Sequence, residues 1–204
     1  PKRTTADTAI DSLTHAIEAY VSKKANLFSD TQSLSAMKLI APNIRKAYVN
    51  GTDRSARESL MVGATLAGMA FSNSSVALVH GMSRPIGAFY HVPHGLSNAM
   101  LLPTVTEFSI PYAEEKYANC AKVIGVANVN DNNDIANAKL LSELNKLNQD
   151  LEVPSLEEFG VDKEHFMNNI EIMANQAIAS GSPNNNPIVP SHKDLIKLYK
   201  KLWN

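Results

Sequence analysis

Apolar residues return every three or four positions through most of this chain, a period that suits helices and excludes most strand arrangements. Over residues 11–21, Leu13, Ala16, Ile17 and Tyr20 fall at helical spacing; over residues 30–48, Leu34, Met37, Ile40, Ala41 and Ile44 share one face. Pro42 is expected to kink or split that second helix. Asp53 suits the N-cap of a third helix through Leu60, Ala64 and Ala67, in which Gly63 and Gly68 allow close approach of a neighbour. After polar Ser72-Asn73-Ser74-Ser75, an apolar stretch runs from Val76 past His80 to Tyr90, where His91-Val92-Pro93 breaks it. Pro93 fits the first position of a helix over residues 95–102, which Pro103 is expected to interrupt. Further helices are predicted over residues 111–123, 131–147, 162–179 and 191–202, and the Asn- and Pro-rich stretch 180–190 reads as a surface excursion. Two-residue alternation is scarce, so the fold class is all-α, a helical bundle domain spanning residues 1–204.

With 204 residues, 44% of them hydrophobic, the chain has material for a substantial core. Its 19 basic and 20 acidic side chains leave a net charge of -1, which offers no basic footprint for nucleic acid or an acidic membrane surface. A single cysteine, Cys120, cannot close an internal disulfide, and no apolar run approaches the roughly 20 residues that span a bilayer. Those features, with no signal-peptide pattern at the N-terminus, predict a soluble cytoplasmic protein. The chain starts Pro1-Lys2-Arg3 in place of methionine, as a piece of a longer protein would. It contains neither GxGxxG nor GxxxxGK[ST], so a nucleotide-binding half is not visible in these residues.

Two groups of residues carry the candidate chemistry. Asp11 and His15 stand four apart on one helical face and can hold a cation between them; an exposed Asp-His contact is the plainer alternative, and Glu18 reads equally well as a surface acid. His80 and His94 each precede a glycine in an otherwise apolar stretch, with Arg84 and His91 between them. A lone histidine in such a stretch is more often hydrogen-bonded within the core, but two of them beside an Asp/His pair point toward a metal. If Asp11, His15, His80 and His94 converge, one carboxylate and three imidazoles suit iron(II) or zinc(II), and no thiolate is present to favour copper(I) or an iron-sulfur cluster.

The segments DSLTHAIEAYVS (residues 11–22) and LVHGMSRPIGAFYHVPHGLSNAMLLP (residues 78–103) strongly resemble the iron-containing, or group III, alcohol dehydrogenase family. Weaker support comes from the loop at Asn186-Pro187. The resemblance implies the helical C-terminal half of a dehydroquinate synthase-like fold, with an N-terminal α/β domain, absent from these residues, that binds NAD or NADP. It implies Asp11, His15, His80 and His94 as metal ligands, iron(II) first and zinc(II) second. The implied activity is reversible hydride transfer between a metal-bound alcohol and nicotinamide, with a small alcohol or aldehyde as substrate and a homo-oligomer as the assembly. A zinc-dependent glycerol dehydrogenase-like enzyme and a non-catalytic truncated helical module are the alternatives.

One position departs from the family pattern. Many members carry a histidine where this chain has Arg84, and a guanidinium cannot shuttle a proton at neutral pH. Three readings follow: His91 or a water chain carries the proton and Arg84 is a structural donor to backbone or carboxylate, Arg84 faces the pocket and favours an anionic substrate, or Arg84 makes a surface or inter-domain contact. Elsewhere the plain readings are a core role for Met37, Met61, Met69 and Met100, a buried inert thiol at Cys120, solvent-facing His165 and His192, and Trp203 anchoring the last helix.

Overall fold

The computed structural model describes residues 1–203, and every regular element among them is helical. In chain order these are α1 (Lys2–Val21), α2 (Leu27–Val49), α3 (Arg54–Asn73), α4 (Leu78–Tyr90), α5 (His94–Ser109), α6 (Glu114–Val123), α7 (Asn133–Asp150), the single turn α8 (Leu156–Phe159), α9 (Lys163–Ala179) and α10 (His192–Lys201). Several starts are set by short polar side chains that accept from otherwise unpaired amides of the first turn. Asp53 accepts from Ala56 N–H at 3.0 Å, Asn132 from Ile135 N–H at 2.9 Å and Asp162 from His165 N–H at 2.6 Å. Asn26/Ser29, Ser155/Glu158 and Ser191/Asp194 form reciprocal capping boxes.

α1 packs against α2, α3 and α5; α4 lies between α5 and α9; α6 pairs with α7 and α9 with α10. One continuous apolar core threads these contacts, from Ile10, Leu13 and Ile17 of α1 through Met37, Ile40 and Ile44 of α2 to Phe166 of α9 and Tyr199 of α10. Gly63 brings α3 onto α2, since a Cβ there would lie 2.5 Å from Ile40 Cγ1, whereas Gly68 faces open space. Among the described residues no single helix is long and apolar enough to cross a membrane.

Several expectations need correction. Neither Pro42 nor Pro103 ends a helix: α2 and α5 run through both. Pro42 is exposed, so the carbonyl its missing N–H would have engaged, on exposed Lys38, can turn to water. At buried Pro103 the corresponding carbonyl, on Ala99, instead accepts a 2.7 Å hydrogen bond from the Asn148 side chain of α7.

The 180–190 stretch is not a surface excursion. It forms a 3-10 turn (Ser182–Asn185) whose Pro183 packs on Gly81 of α4, while Lys23 N–H donates to Asn185 O at 2.8 Å and buried Asn186 donates to Ser109 Oγ at 3.0 Å. Met37 is buried and Met100 partly so, but Met61 and Met69 are 70% and 42% exposed on the outer face of α3. Glu18 is buried rather than a surface acid. Of the two histidines expected to face solvent, His165 is exposed and His192 is half-buried against Glu171 at 3.3 Å.

Candidate metal centre

Helical geometry places Asp11, His15 and Glu18 on one face of α1, because positions four and seven residues on return to the same side. α4 starts beside that face and supplies His80, and the first turn of α5 supplies His94. The close approach of α5 depends on Gly95, where a Cβ would collide with the backbone carbonyl of Asp7. Gly81 does the same for the far side of α4, where a Cβ would lie 2.7 Å from Pro183 Cγ.

Asp11, His15, His80 and His94 therefore meet. Asp11 Oδ1 lies 3.4 Å from His80 Nε2, 3.6 Å from His94 Nε2 and 3.8 Å from His15 Nδ1. Ligands bound at about 2.1 Å in tetrahedral array stand roughly 3.4 Å apart, so the distances to Asp11 Oδ1 are near that spacing, while His94 lies outside the mutual cluster that Asp11, His15 and His80 form. Candidate donor atoms of Asp11, His15 and His80 all lie within 4.8 Å of one another. The cluster is graded in depth: the His80 side chain is 3% exposed, His15 18%, Asp11 20% and His94 48%, so the site opens on the His94 side. Phe71 of α3 stacks on the His15 ring at 4.4 Å and closes another side.

Asn98 and Glu18, which no motif argument singled out as functional, also belong to the centre. The buried Asn98 side chain donates to Asp11 Oδ1 at 2.6 Å, and its nitrogen lies 3.2 Å from both His80 Nε2 and His94 Nε2. Its Oδ1 has no hydrogen-bond partner. Glu18 accepts from Ala77 N–H at 2.8 Å and Val79 N–H at 2.5 Å, and faces His80 Nδ1 at 2.7 Å. Spacing carried a signal for each, because Glu18 stands three residues after His15 and Asn98 four after His94, both one helical turn.

The electrostatics are those of a compact anionic nest holding imidazoles. Burial alone would raise Asp11, but the hydrogen bond from His80 and the three imidazoles hold its carboxyl below the usual range. Burial, then the neighbouring His80, push His15 down to about 4; burial also lowers His94. Burial would lower His80 as well, yet its hydrogen bonds to Asp11 and Glu18 outweigh that and lift it to about 9.

Arg84 and His91 stand outside this contact set. Arg84 is exposed one turn beyond His80, and its charge contributes to the lowered pKa of His94. Among the described residues it makes no hydrogen bond or ion pair. His91 is the exposed, left-handed C-cap of α4 (φ 54°), and the rise of a helix puts it about 16 Å along the axis from His80.

This helical domain with a carboxylate and three imidazoles gathered on α1, α4 and α5 belongs to the Fe-containing alcohol dehydrogenase family as its C-terminal domain; the model of that domain matches residues 5–203. The NADPH-dependent butanol dehydrogenase of Clostridium saccharobutylicum is 34% identical over 204 residues, all of this chain and 52% of that protein. The lactaldehyde reductase of Escherichia coli (strain K12) is 35% identical over 204 residues, again 100% of this chain and 52% of that protein. The crystal structure of a 1,3-propanediol oxidoreductase superposes with a TM-score of 0.93 at 33% identity, covering 99% of this chain and 52% of that one. An alcohol dehydrogenase from Oenococcus oeni gives a TM-score of 0.92 at 30% identity over the same shares. The chain thus spans about half the length of the relatives it matches.

Proposed function

We propose that this chain is the metal- and substrate-binding half of an NAD(P)-linked alcohol dehydrogenase, with Asp11, His15, His80 and His94 as ligands of one divalent cation. The observation that supports this most directly is the convergence of His15, His80 and His94 on Asp11 Oδ1 at 3.4–3.8 Å. Iron(II) is the cation the family points to, and zinc(II) suits the same donors. When bound, the cation acidifies an alcohol hydroxyl and polarises an aldehyde carbonyl.

The chain's own residues supply the rest. Asp11 brings negative charge, the Asn98 side-chain NH2, which lies among Asp11, His80 and His94, turns aside to admit the cation, and the half-exposed His94 borders the side from which a small alcohol or aldehyde enters. The nicotinamide comes from an α/β domain, which fits a chain that spans half of its relatives. A cytoplasmic homo-oligomer is part of the same reading.

Arg84 has an exposed guanidinium whose charge reaches His94 and no acceptor among the described residues, which argues against a structural donor within this chain and leaves the substrate-facing role and an inter-domain contact. In the substrate-facing role its fork would hold an anionic group of the substrate. His91 lies on the exposed turn before His94 and outside the contact set, so a proton relay through it runs by way of intervening water. Comparing neutral alcohols with hydroxy acids in the enzyme and its Arg84→His variant tests the first assignment; unchanged preference overturns it. A pH-rate profile that His91→Ala leaves unaltered overturns the second.

Metal analysis tests the central claim. The chain should carry about one divalent ion after metal loading and dialysis, and Asp11→Ala and His94→Ala should lose it. Normal metal content in either variant removes that residue from the ligand set.

A further inference from the structure

We propose that Glu18 is the positioning residue of the centre: it sets which nitrogen of His80 faces the cluster, and it does so from α1, the helix that also carries Asp11 and His15. The inference rests on the metal reading above but concerns a residue outside the ligand set.

A carboxylate buried as deeply as Glu18, 4% exposed at the side chain, is costly unless its oxygens are occupied by donors. Here the backbone N–H groups of Ala77 and Val79 and the Nδ1 of His80 converge on it. Two of them are amides at the start of α4, where the N-cap, Ala77, has no side chain able to cap. Glu18 therefore caps α4 from a neighbouring helix. The third donor carries the functional consequence. Both Glu18 oxygens already accept backbone N–H groups, Oε2 from Ala77 and Oε1 from Val79, so the Nδ1 that faces Oε2 at 2.7 Å is set to donate, and Nε2 is left as the nitrogen that turns to the cluster. Nε2 is the atom 3.4 Å from Asp11 Oδ1. One side chain thus fixes the tautomer, the ring orientation and the position of the helix start, and does so on the buried side, away from the open His94 side. A carboxylate behind a ligating imidazole also raises its basicity toward a cation.

The test compares the wild-type chain with Glu18→Gln and Glu18→Asp in zinc(II) and cobalt(II) titrations against a competing chelator, with circular dichroism and melting in EDTA alongside. Glutamine offers one acceptor oxygen where three donors converge, so at least one donor must face its NH2 group. Glu18→Gln should weaken zinc about 10- to 100-fold and alter the visible spectrum of the cobalt form, and Glu18→Asp, which keeps the charge but draws it back from Nδ1, should fall between. In nitrogen-proton spectra of the zinc-loaded wild type, the His80 Nδ1 proton should be downfield and slow to exchange, and Glu18→Gln should lose that signature.

A purely structural cap would lower the melting temperature in EDTA without changing either readout. Zinc affinity within twofold of wild type, with the Nδ1 proton retained, overturns the proposal and leaves the metal reading standing. A wild-type chain that takes up neither metal overturns both. If Glu18→Gln fails to fold in EDTA, the same measurements on Glu18→Asp decide: wild-type affinity and an unchanged Nδ1 proton there overturn the proposal.

Discussion

α4 joins two clusters of rings that share a spacing and differ in everything else. At its start, His80 lies 4.3 Å from the His15 ring and 5.3 Å from that of His94; at its end, Tyr90 lies 5.4 Å from Phe166, which in turn meets Trp203 at 5.5 Å and Tyr199 at 6.2 Å. The distal cluster is held by apolar contact and by a closed polar bond, Tyr199 O–H donating to Met82 O at 2.8 Å. The proximal cluster presses imidazoles and two carboxylates together and leaves the buried Asn98 Oδ1 unpartnered. Burial costs its polar residues desolvation that the apolar distal rings escape, and it sets three imidazoles around one carboxylate oxygen. Neither ring packing nor an unpartnered polar atom marks a site alone, since Trp203 Nε1 in the distal cluster is buried without a partner too; what sets the proximal cluster apart is imidazoles in contact with carboxylates.

If the division is sound, the largest stability effect lies far from the chemistry. Phe166→Ala removes a fully buried ring and should cost about 3–5 kcal/mol in chemical denaturation, with zinc affinity measured under folding conditions unchanged. Loss of metal affinity in that variant would show the two clusters to be coupled through α4. Gly95→Ala sharpens the contrast from the other end. The added methyl meets the Asp7 carbonyl, so α5 must move away from α1, at about 1–3 kcal/mol, and His94 moves with it. Stability and metal affinity should therefore fall together, as calorimetry and titration would show; a drop in stability alone would mean that His94 keeps its place when α5 shifts.

Asn148→Ala examines an intermediate region. It strips the donor from the Ala99 carbonyl that Pro103 leaves without its helical partner, and should cost about 1–2 kcal/mol without disturbing metal uptake. Full retention of stability would show that water replaces the amide.

The same contrast explains what the sequence made legible. Periodicity disclosed the helices because their apolar faces repeat, and Asp53, Asp162 and Ser191 marked starts because capping is local. Pro42 and Pro103 misled as breaks because what rescues them lies elsewhere: solvent in one case, a side chain 45 residues along the chain in the other. The Asn-rich stretch looked like surface because its burial depends on α4, α5 and the end of α1, none of them adjacent in sequence. At the site, His80 and His94 stood out as imidazoles in apolar stretches, and Asp11 and His15 as a pair one helical turn apart. Glu18 did not, since three residues after His15 on an amphipathic helix an acid faces solvent as readily as a neighbouring helix. Only the arrival of α4 decides between them.

The smallest expected effect concerns Cys120, which belongs to neither cluster and reports on the fold as a whole. Its thiol is fully buried, and burial pushes it up to about 12. The folded thiol is held in its protonated form and is closed to reagents, so labelling by a disulfide reagent must wait for the chain to open. The raised value also sets a sign: because the thiol is harder to ionise when folded, its contribution to stability is present below the unfolded pKa near 9 and declines as pH rises from there toward 12. Native protein at pH 8 should therefore label slowly with a rate that tracks global stability. It should be accelerated strongly by Phe166→Ala and little by Glu18→Asp. Fast labelling of the wild type would place Cys120 in a region that opens locally, and the core from α1 to α10 would then not unfold as one unit.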